Sequence, residues 1–336
     1  MRIEQNYSLL KHNTFGLDVK TRYFVEYESE EDLKKLLRDE FFFCQRFWHI
    51  GQGSNLLFLG DYDGIIVHSA LQGIEIINED EHSVWLKVGA GNDWDALVAY
   101  CVENGWGGLE NLSLIPGEVG ASAVQNIGAY GAEVSERIEE VHAYSLKTGD
   151  KLIFSNAECK YSYRNSFFKN PENKGLYYVV HVVFKLSKQP EFRLDYGNIS
   201  ERLTGMSISL KTVREAVIAI RESKLPNPKI VGNAGSFFMN PYISMKHFQQ
   251  LKKQYPTIPH YPVNEDTVKI PAAWLIEQCG MKGKTVGGAA VHEKQALVII
   301  NQNKATGLDI ASLAEEVSQA VKEKFDVELQ PEVNYI

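Results

Sequence analysis

The segment SLIPGEVGASAVQNIGAYGAEV, Ser113 to Val134, constrains this chain more than any other stretch. Glycine recurs at 117, 120, 128 and 131 among small residues, and Glu118 is the only charged side chain before Glu133. Such a stretch is too uncharged for a solvated loop, and its missing side chains let backbone approach another surface closely. Two readings fit: a loop covering a large flat ligand, or a close crossing of loop and sheet. A second glycine turn, GQGSNLLF from Gly51 to Phe58, begins like a dinucleotide fingerprint. Leu56 stands where the third glycine belongs, and a strand-like run follows instead of a helix, so this is neither a Rossmann turn nor a Walker loop. Gly51, Gly53, Ser54 and Asn55 still offer backbone N–H groups and small side chains to a diphosphate. A tight hairpin explains them equally well, but two such turns in one half favour a nucleotide cofactor.

Around these turns the chain reads as α+β. Short strand-like runs, YFVEY, FWHI, NLLFL, GIIVH, GIEII and VWLKV, fill residues 23–88, interrupted by a helix that Ser29 and Asp32 cap before Leu33, Leu36 and Leu37. A second helix begins near Asn92, buries Trp94, Leu97, Val98, Cys101 and Val102, and stops at Gly105. Strands return at about 138–145, 151–155 and 177–186. In the last third, Thr212 and Glu215 suggest a capping box for a helix ended by Pro226; a helix around Trp274 stops at Gly280; QALVIIN reads as a strand; a long helix carries Ile310 to Val321; and VELQPEV reads as a closing strand. No regular βαβ alternation appears, which excludes a doubly wound sheet.

Composition narrows the function classes. Against 43 acidic residues stand 35 basic ones, a net charge of −8, the wrong sign for phosphate-backbone contacts along a nucleic acid. Cys44, Cys101, Cys159 and Cys279 are scattered, with no C-x-x-C pair and no zinc-ligand spacing, so no metal is expected. No apolar run approaches the roughly 18 residues of a membrane span. The expectation is a cytoplasmic protein, monomeric, with neither nucleic-acid nor membrane partners.

The stretch GNAGSFFMNP, Gly232 to Pro241, sets Ser236 in a glycine turn that lacks the G-x-S-x-G elbow. Alone, that serine satisfies turn backbone. Read together, however, NTFGLD at Asn13, GQGSNLLF, IPGEVGASAVQNIGAYG, YSYRNSFFK, KLPNPK, GNAGSFFMNP, AAWLIEQCG, GGAAVHEKQALVIIN and QPEV occur in one order along nearly the whole length. In that order they resemble the UDP-N-acetylenolpyruvoylglucosamine reductases, in the longer family type with a tyrosine loop.

The resemblance implies an FAD-binding fold of the p-cresol methylhydroxylase and vanillyl-alcohol oxidase type plus a C-terminal α+β substrate domain. The implied division is 1–68 and 69–204 for the two FAD-binding parts, with the tyrosine loop near 190–200, and 205–336 for the substrate domain. FAD, held non-covalently, would rest on Gly51, Gly53, Ser54, Asn55, Ile127 and Gly128. NADPH would be co-substrate and UDP-N-acetylglucosamine enolpyruvate the substrate, reduced to UDP-N-acetylmuramate for peptidoglycan precursors. By the same resemblance Ser236 is the proton donor, Arg164 in YSYRNS holds the substrate carboxylate, and Glu332 in QPEV is the acidic partner; Tyr196, Lys224, Asn240 and Gln295 contact the UDP-sugar. Without the resemblance, Arg164 is a surface cation, Glu332 a solvated carboxylate, Lys224 a C-cap cation and Gln295 an edge residue. Two positions depart from the pattern: Glu118 where relatives commonly carry Thr, and Met239 where they carry a basic residue, leaving Lys269, His292 and Arg221 as compensating cations. The alternatives are a flavin oxidase of the same FAD fold, or a nucleotide-sugar binding protein without turnover.

Overall fold

Along the strand Lys20–Tyr27, Thr21, Val25 and Tyr27 are buried on one face and Phe24 is buried on the other, and the strand belongs to a four-stranded sheet. Its order is Arg2–Ser8, Lys20–Tyr27, Tyr62–Ser69, Phe47–Ile50, the last two strands parallel with Phe47 opposite Ile65. The computed structural model describes residues 1–336, the Phe43 side chain excepted. Contacts divide the chain into two units: one comprises 1–7, 21–52 and 63–223, the other 8–20, 53–62 and 224–336.

The first unit also holds a five-stranded antiparallel sheet, in the order Lys151–Ser155, Ile138–Ser145, Tyr177–Ser187, Ser83–Gly89, Ile74–Glu79. The central strand Tyr177–Ser187 places Val182 between Val141 and Val88. On this sheet lies the helix Trp94–Glu103, capped by Asp93, which accepts from the Ala96 N–H. Trp94 is buried with Leu97, Val98 and Cys101, and its indole N–H donates to the Leu112 carbonyl at 2.9 Å. The helix Leu210–Lys224 buries Val213, Val217 and Ile220 against Ile199 and Leu203.

The second unit packs a four-stranded antiparallel sheet, in the order Gly232–Ser236, Val298–Asn301, Ala289–Val291, Thr285–Val286. The helix Gly307–Phe325 and the helix Ala272–Gln278 bury their apolar sides in the same core. Phe15, Leu17 and Leu57, from far earlier in the chain, are buried in it too. A smaller sheet orders Tyr242–Ser244, Thr267–Lys269 and Tyr261–Pro262. Among the described residues, no helix is long and apolar enough to cross a membrane.

The structure departs from the sequence expectations at several elements. VELQPEV is not a strand: only Asn334–Tyr335 pairs regularly, in parallel with Leu56–Leu57. Pro331 interrupts the run and makes a single bridge to Phe238. The glycine segment is not all loop, since Val119–Gln125 forms a helix within it. The reciprocal cap of Leu210–Lys224 lies one turn earlier than expected, where Ser209 and Thr212 exchange backbone-to-hydroxyl bonds at 2.9 and 3.2 Å. The helix Met245–Gln254 has no counterpart in the sequence reading, although Ser244 caps it and Phe248 and Leu251 carry its buried face.

Candidate functional site

In the first unit, the candidate residues gather on the glycine segment. The helix Val119–Gln125 ends at Asn126, which is fully buried in the left-handed region at φ 45°. Its amide donates to Glu133 Oε2 and to the Ser162 carbonyl, both at 2.8 Å, tying the segment to the turn that carries Arg164. Ser166 Oγ donates to the Val124 carbonyl at 2.7 Å, and Lys169 Nζ donates to the Arg164 carbonyl at 2.6 Å. So held, Arg164 takes a left-handed φ of 55° and donates from Nη2 to the Gly128 carbonyl at 2.8 Å. Ile127, whose N–H reaches the Ser122 carbonyl at 3.2 Å, directly precedes it. Arg164, Ile127 and Gly128 are therefore brought together.

Tyr196, half exposed, lies across Gly131, where a Cβ would come within 3.3 Å of its ring. Arg221, on the helix Leu210–Lys224, donates from Nε to the Leu114 carbonyl at 3.2 Å. Burial lowers its pKa, partly offset by Tyr130 and Asp95, while Arg164 adds to the lowering. Gly51 backs onto this region as well: a Cβ there would sit 3.0 Å from Glu118 Oε2 and 3.4 Å from the Ala121 methyl.

In the second unit, Ser236 ends the strand Gly232–Ser236, opposite Val298, after a register shift from Asn233. Asn233 builds that irregularity. It is buried, its amide donates to the Pro226 and Val231 carbonyls at 3.0 and 2.9 Å, and its oxygen accepts from the Gly235 N–H at 2.9 Å. Gly235 answers with φ 70°, so glycine is the residue that fits there. The next residues pair with the C-terminus: the Glu332 N–H donates to the Phe237 carbonyl at 2.8 Å and the Met239 N–H to the Gln330 carbonyl at 2.9 Å. Glu332 thus runs alongside Ser236. Asn55 joins them, donating from its amide to the Glu332 carbonyl at 3.1 Å and accepting from the Asn334 N–H at 3.0 Å. Gly53, at φ 71°, leaves no room for a Cβ against the His12 carbonyl, and Ser54 follows it in the same turn.

The sugar-contact candidates are less uniform. Gln295 lies in the hairpin before Val298–Asn301, and its carbonyl accepts from the Val298 N–H at 3.0 Å. The Asn240 oxygen accepts from the Ala272 N–H at 2.9 Å, opening the helix Ala272–Gln278. Lys224 is exposed at the last position of its helix. Asn126 and Asn233 escaped the sequence reading because an asparagine between small residues signals only a turn; Ser162, which the Asn126 amide reaches, is distant in the chain, and the near neighbours of Asn233 meet it only through the bend of the strand. Among the described residues no group of histidine, cysteine and carboxylate side chains could hold a metal ion.

Comparison with known proteins accounts for both units. Residues 21–151 match an FAD binding domain, and residues 226–336 match the C-terminal domain of UDP-N-acetylenolpyruvoylglucosamine reductase. The UDP-N-acetylenolpyruvoylglucosamine reductase of Bacteroides fragilis is 50% identical over 335 residues, covering 99% of this chain and 100% of that one. The Porphyromonas gingivalis protein of the same name is 48% identical over 338 residues, with both chains covered completely. A crystal structure of UDP-N-acetylenolpyruvylglucosamine reductase from Thermus caldophilus shares the fold, with a TM-score of 0.70 at 23% identity, over 100% of this chain and 99% of that one. Identity at this level over the full length leaves one conclusion: the chain belongs to the UDP-N-acetylenolpyruvoylglucosamine reductase family, as an FAD-dependent oxidoreductase.

Proposed function

We propose that this enzyme reduces UDP-N-acetylglucosamine enolpyruvate to UDP-N-acetylmuramate, with electrons from NADPH carried by non-covalently bound FAD, in peptidoglycan precursor synthesis. The observation that carries this reading is the junction in the second unit. There the serine turn at Ser236, the carboxylate-bearing Glu332 and the glycine turn at Asn55 are joined by backbone and amide hydrogen bonds, although they lie almost 280 residues apart in sequence.

The residues present fit an FAD. Gly51 leaves its face against Glu118 and Ala121 bare of side chain, and Gly53 is held in a conformation that side chains rarely adopt. Gly120 approaches Ala90 so closely that a Cβ would lie 2.8 Å from the alanine methyl. Gly51, Gly53, Ser54, Asn55, Ile127 and Gly128 would hold the cofactor. Bound there, FAD would supply hydride chemistry between NADPH and the terminal methylene of the enolpyruvyl ether.

The chain's own groups do the rest in this reading. Hydride arrival leaves negative charge on the adjacent carbon and its carboxylate. Arg164 binds both carboxylate oxygens with its planar fork and stays charged while electrons arrive. Ser236 Oγ gives its proton to the adjacent carbon, completing addition across the double bond. Glu332, set beside the serine turn, supports the same charge redistribution. Tyr196, Lys224, Asn240 and Gln295 orient the sugar nucleotide, Asn240 while also opening the helix Ala272–Gln278.

An anaerobic visible spectrum tests the reading. The flavin band should bleach with one equivalent of NADPH and return on adding UDP-N-acetylglucosamine enolpyruvate. Bleaching without return would move the substrate to that of a flavin oxidase; absence of a flavin band after reconstitution with FAD would leave a binding protein without turnover.

A further inference from the structure

Three titratable side chains in the first unit form a hydrogen-bonded line that this chemistry does not use. His68, on the strand Tyr62–Ser69, sets Nδ1 2.9 Å from Glu26 Oε2 and Nε2 2.9 Å from Glu118 Oε1. Their side chains are 12%, 18% and 7% exposed for His68, Glu26 and Glu118. The far oxygen of Glu118 is the one that Gly51 backs onto.

Counting protons gives the line its meaning. A neutral imidazole carries a single N–H, and ionised carboxylates only accept. Two carboxylates facing both ring nitrogens therefore need two bridging protons if both bonds are to exist. In that state the trio carries one net negative charge, whether as imidazolium between two carboxylates or as a neutral ring with one protonated acid. Losing a proton breaks one bond and adds a second negative charge behind Gly51.

We propose that Glu118, with its proton held in common with His68 and Glu26, positions the Gly51 turn and sets its affinity for the diphosphate of a flavin dinucleotide, binding weakening once that proton is lost. The proposal rests on the flavin reading above and concerns Glu118 as a positioning residue. Its surroundings support a shared proton. Burial opposes charge on His68, but Glu118 and Glu26 outweigh it and raise its pKa. Burial also raises Glu118, His68 pulls it partly back, and Asp93 and Glu26 push it up again. The other charged groups facing the line are Arg2, 3.5 Å from Glu26, and Asp93, whose backbone bridges to Glu118. His49 stays neutral, burial pushing its pKa down to about 3. Tyr27 is raised by burial, and the Phe24 ring stacks on His68 at 6.3 Å.

The test titrates the full chain, freed of flavin, with FAD by fluorescence quenching from about pH 6.5, the ordinary histidine value, to about pH 9.5. Wild-type Kd should rise about ten-fold across that range, the effect expected of one added like charge near the ligand. Glu118→Gln, which keeps a bond to His68 while leaving position 118 uncharged at every pH, should rise much less than wild type, the remaining step belonging to the His68–Glu26 pair, as should Glu118→Thr, which serves if the first variant fails to fold. The His68 ring nitrogen shifts, followed by NMR in the same wild-type samples, should titrate with the same midpoint as the Kd. Flat wild-type affinity, an equal rise in Glu118→Gln, or a His68 midpoint unrelated to the Kd step would overturn the proposal while leaving the flavin site intact. No FAD binding at any pH would remove the flavin reading as well.

Discussion

Ser236 ends a strand that Asn233 shapes. The serine drew notice in the sequence because its glycine turn repeats a family pattern; the asparagine that shapes the turn did not, since its partners Pro226, Val231 and Gly235 become neighbours only when the strand bends. Ser236→Ala should leave flavin reduction by NADPH nearly intact while slowing reoxidation by the enolpyruvyl substrate by about 10²–10⁴-fold, as expected for loss of a positioned proton donor. Stopped-flow absorbance separates the two halves, and equal loss in both would remove the serine's role. Asn233→Ala strands buried partners and should cost about 1–3 kcal/mol in denaturant unfolding. An unchanged midpoint would show that the bulge forms without it.

The helices Trp94–Glu103 and Leu210–Lys224 could each be seen from apolar spacing, since helical periodicity is a local signal. What joins them was invisible. Arg214 grips Asp95 through both nitrogens, at 2.6 and 2.9 Å, from 119 residues away, and the Leu114 N–H donates to the same carboxylate at 2.5 Å. Burial raises the Asp95 pKa, but Arg214 and Leu114 outweigh it, and the net shift is downward. A carboxyl with a depressed folded pKa adds stability above its unfolded value near 4, and that stability is lost as pH falls through the lower folded value. Asp95→Asn should therefore cost about 1–3 kcal/mol at neutral pH, the partial exposure of the pair holding it below a fully buried one. The deficit should shrink below about pH 4. A deficit that stays constant in acid melts would assign it to packing rather than charge. Similarly, Thr306 caps Gly307–Phe325 in a reciprocal box with Asp309, so Thr306→Ala should lower stability by about 1 kcal/mol.

At the scale of the molecule, composition does not mark residues 8–20 and 53–62 as partners of 224–336. Membership is decided by contacts such as the Asn301 amide on the Phe15 carbonyl, 286 residues apart, and by Gly232, where a Cβ would overlap that same carbonyl. A fragment of residues 224–336 lacks Phe15, Leu17 and Leu57 from its core and should show no cooperative thermal transition by circular dichroism. A sharp melt would mean that the early segments are decoration. The same interleaving reaches into the life of the nascent chain. Phe15 leaves the ribosome with its backbone partners still unmade, and at about 5–20 residues per second Asn301 follows tens of seconds later. Through that interval an aromatic destined for burial has nowhere to go, so residues 8–20 are among the last of their unit to find their place, and until then they are a natural handle for chaperones.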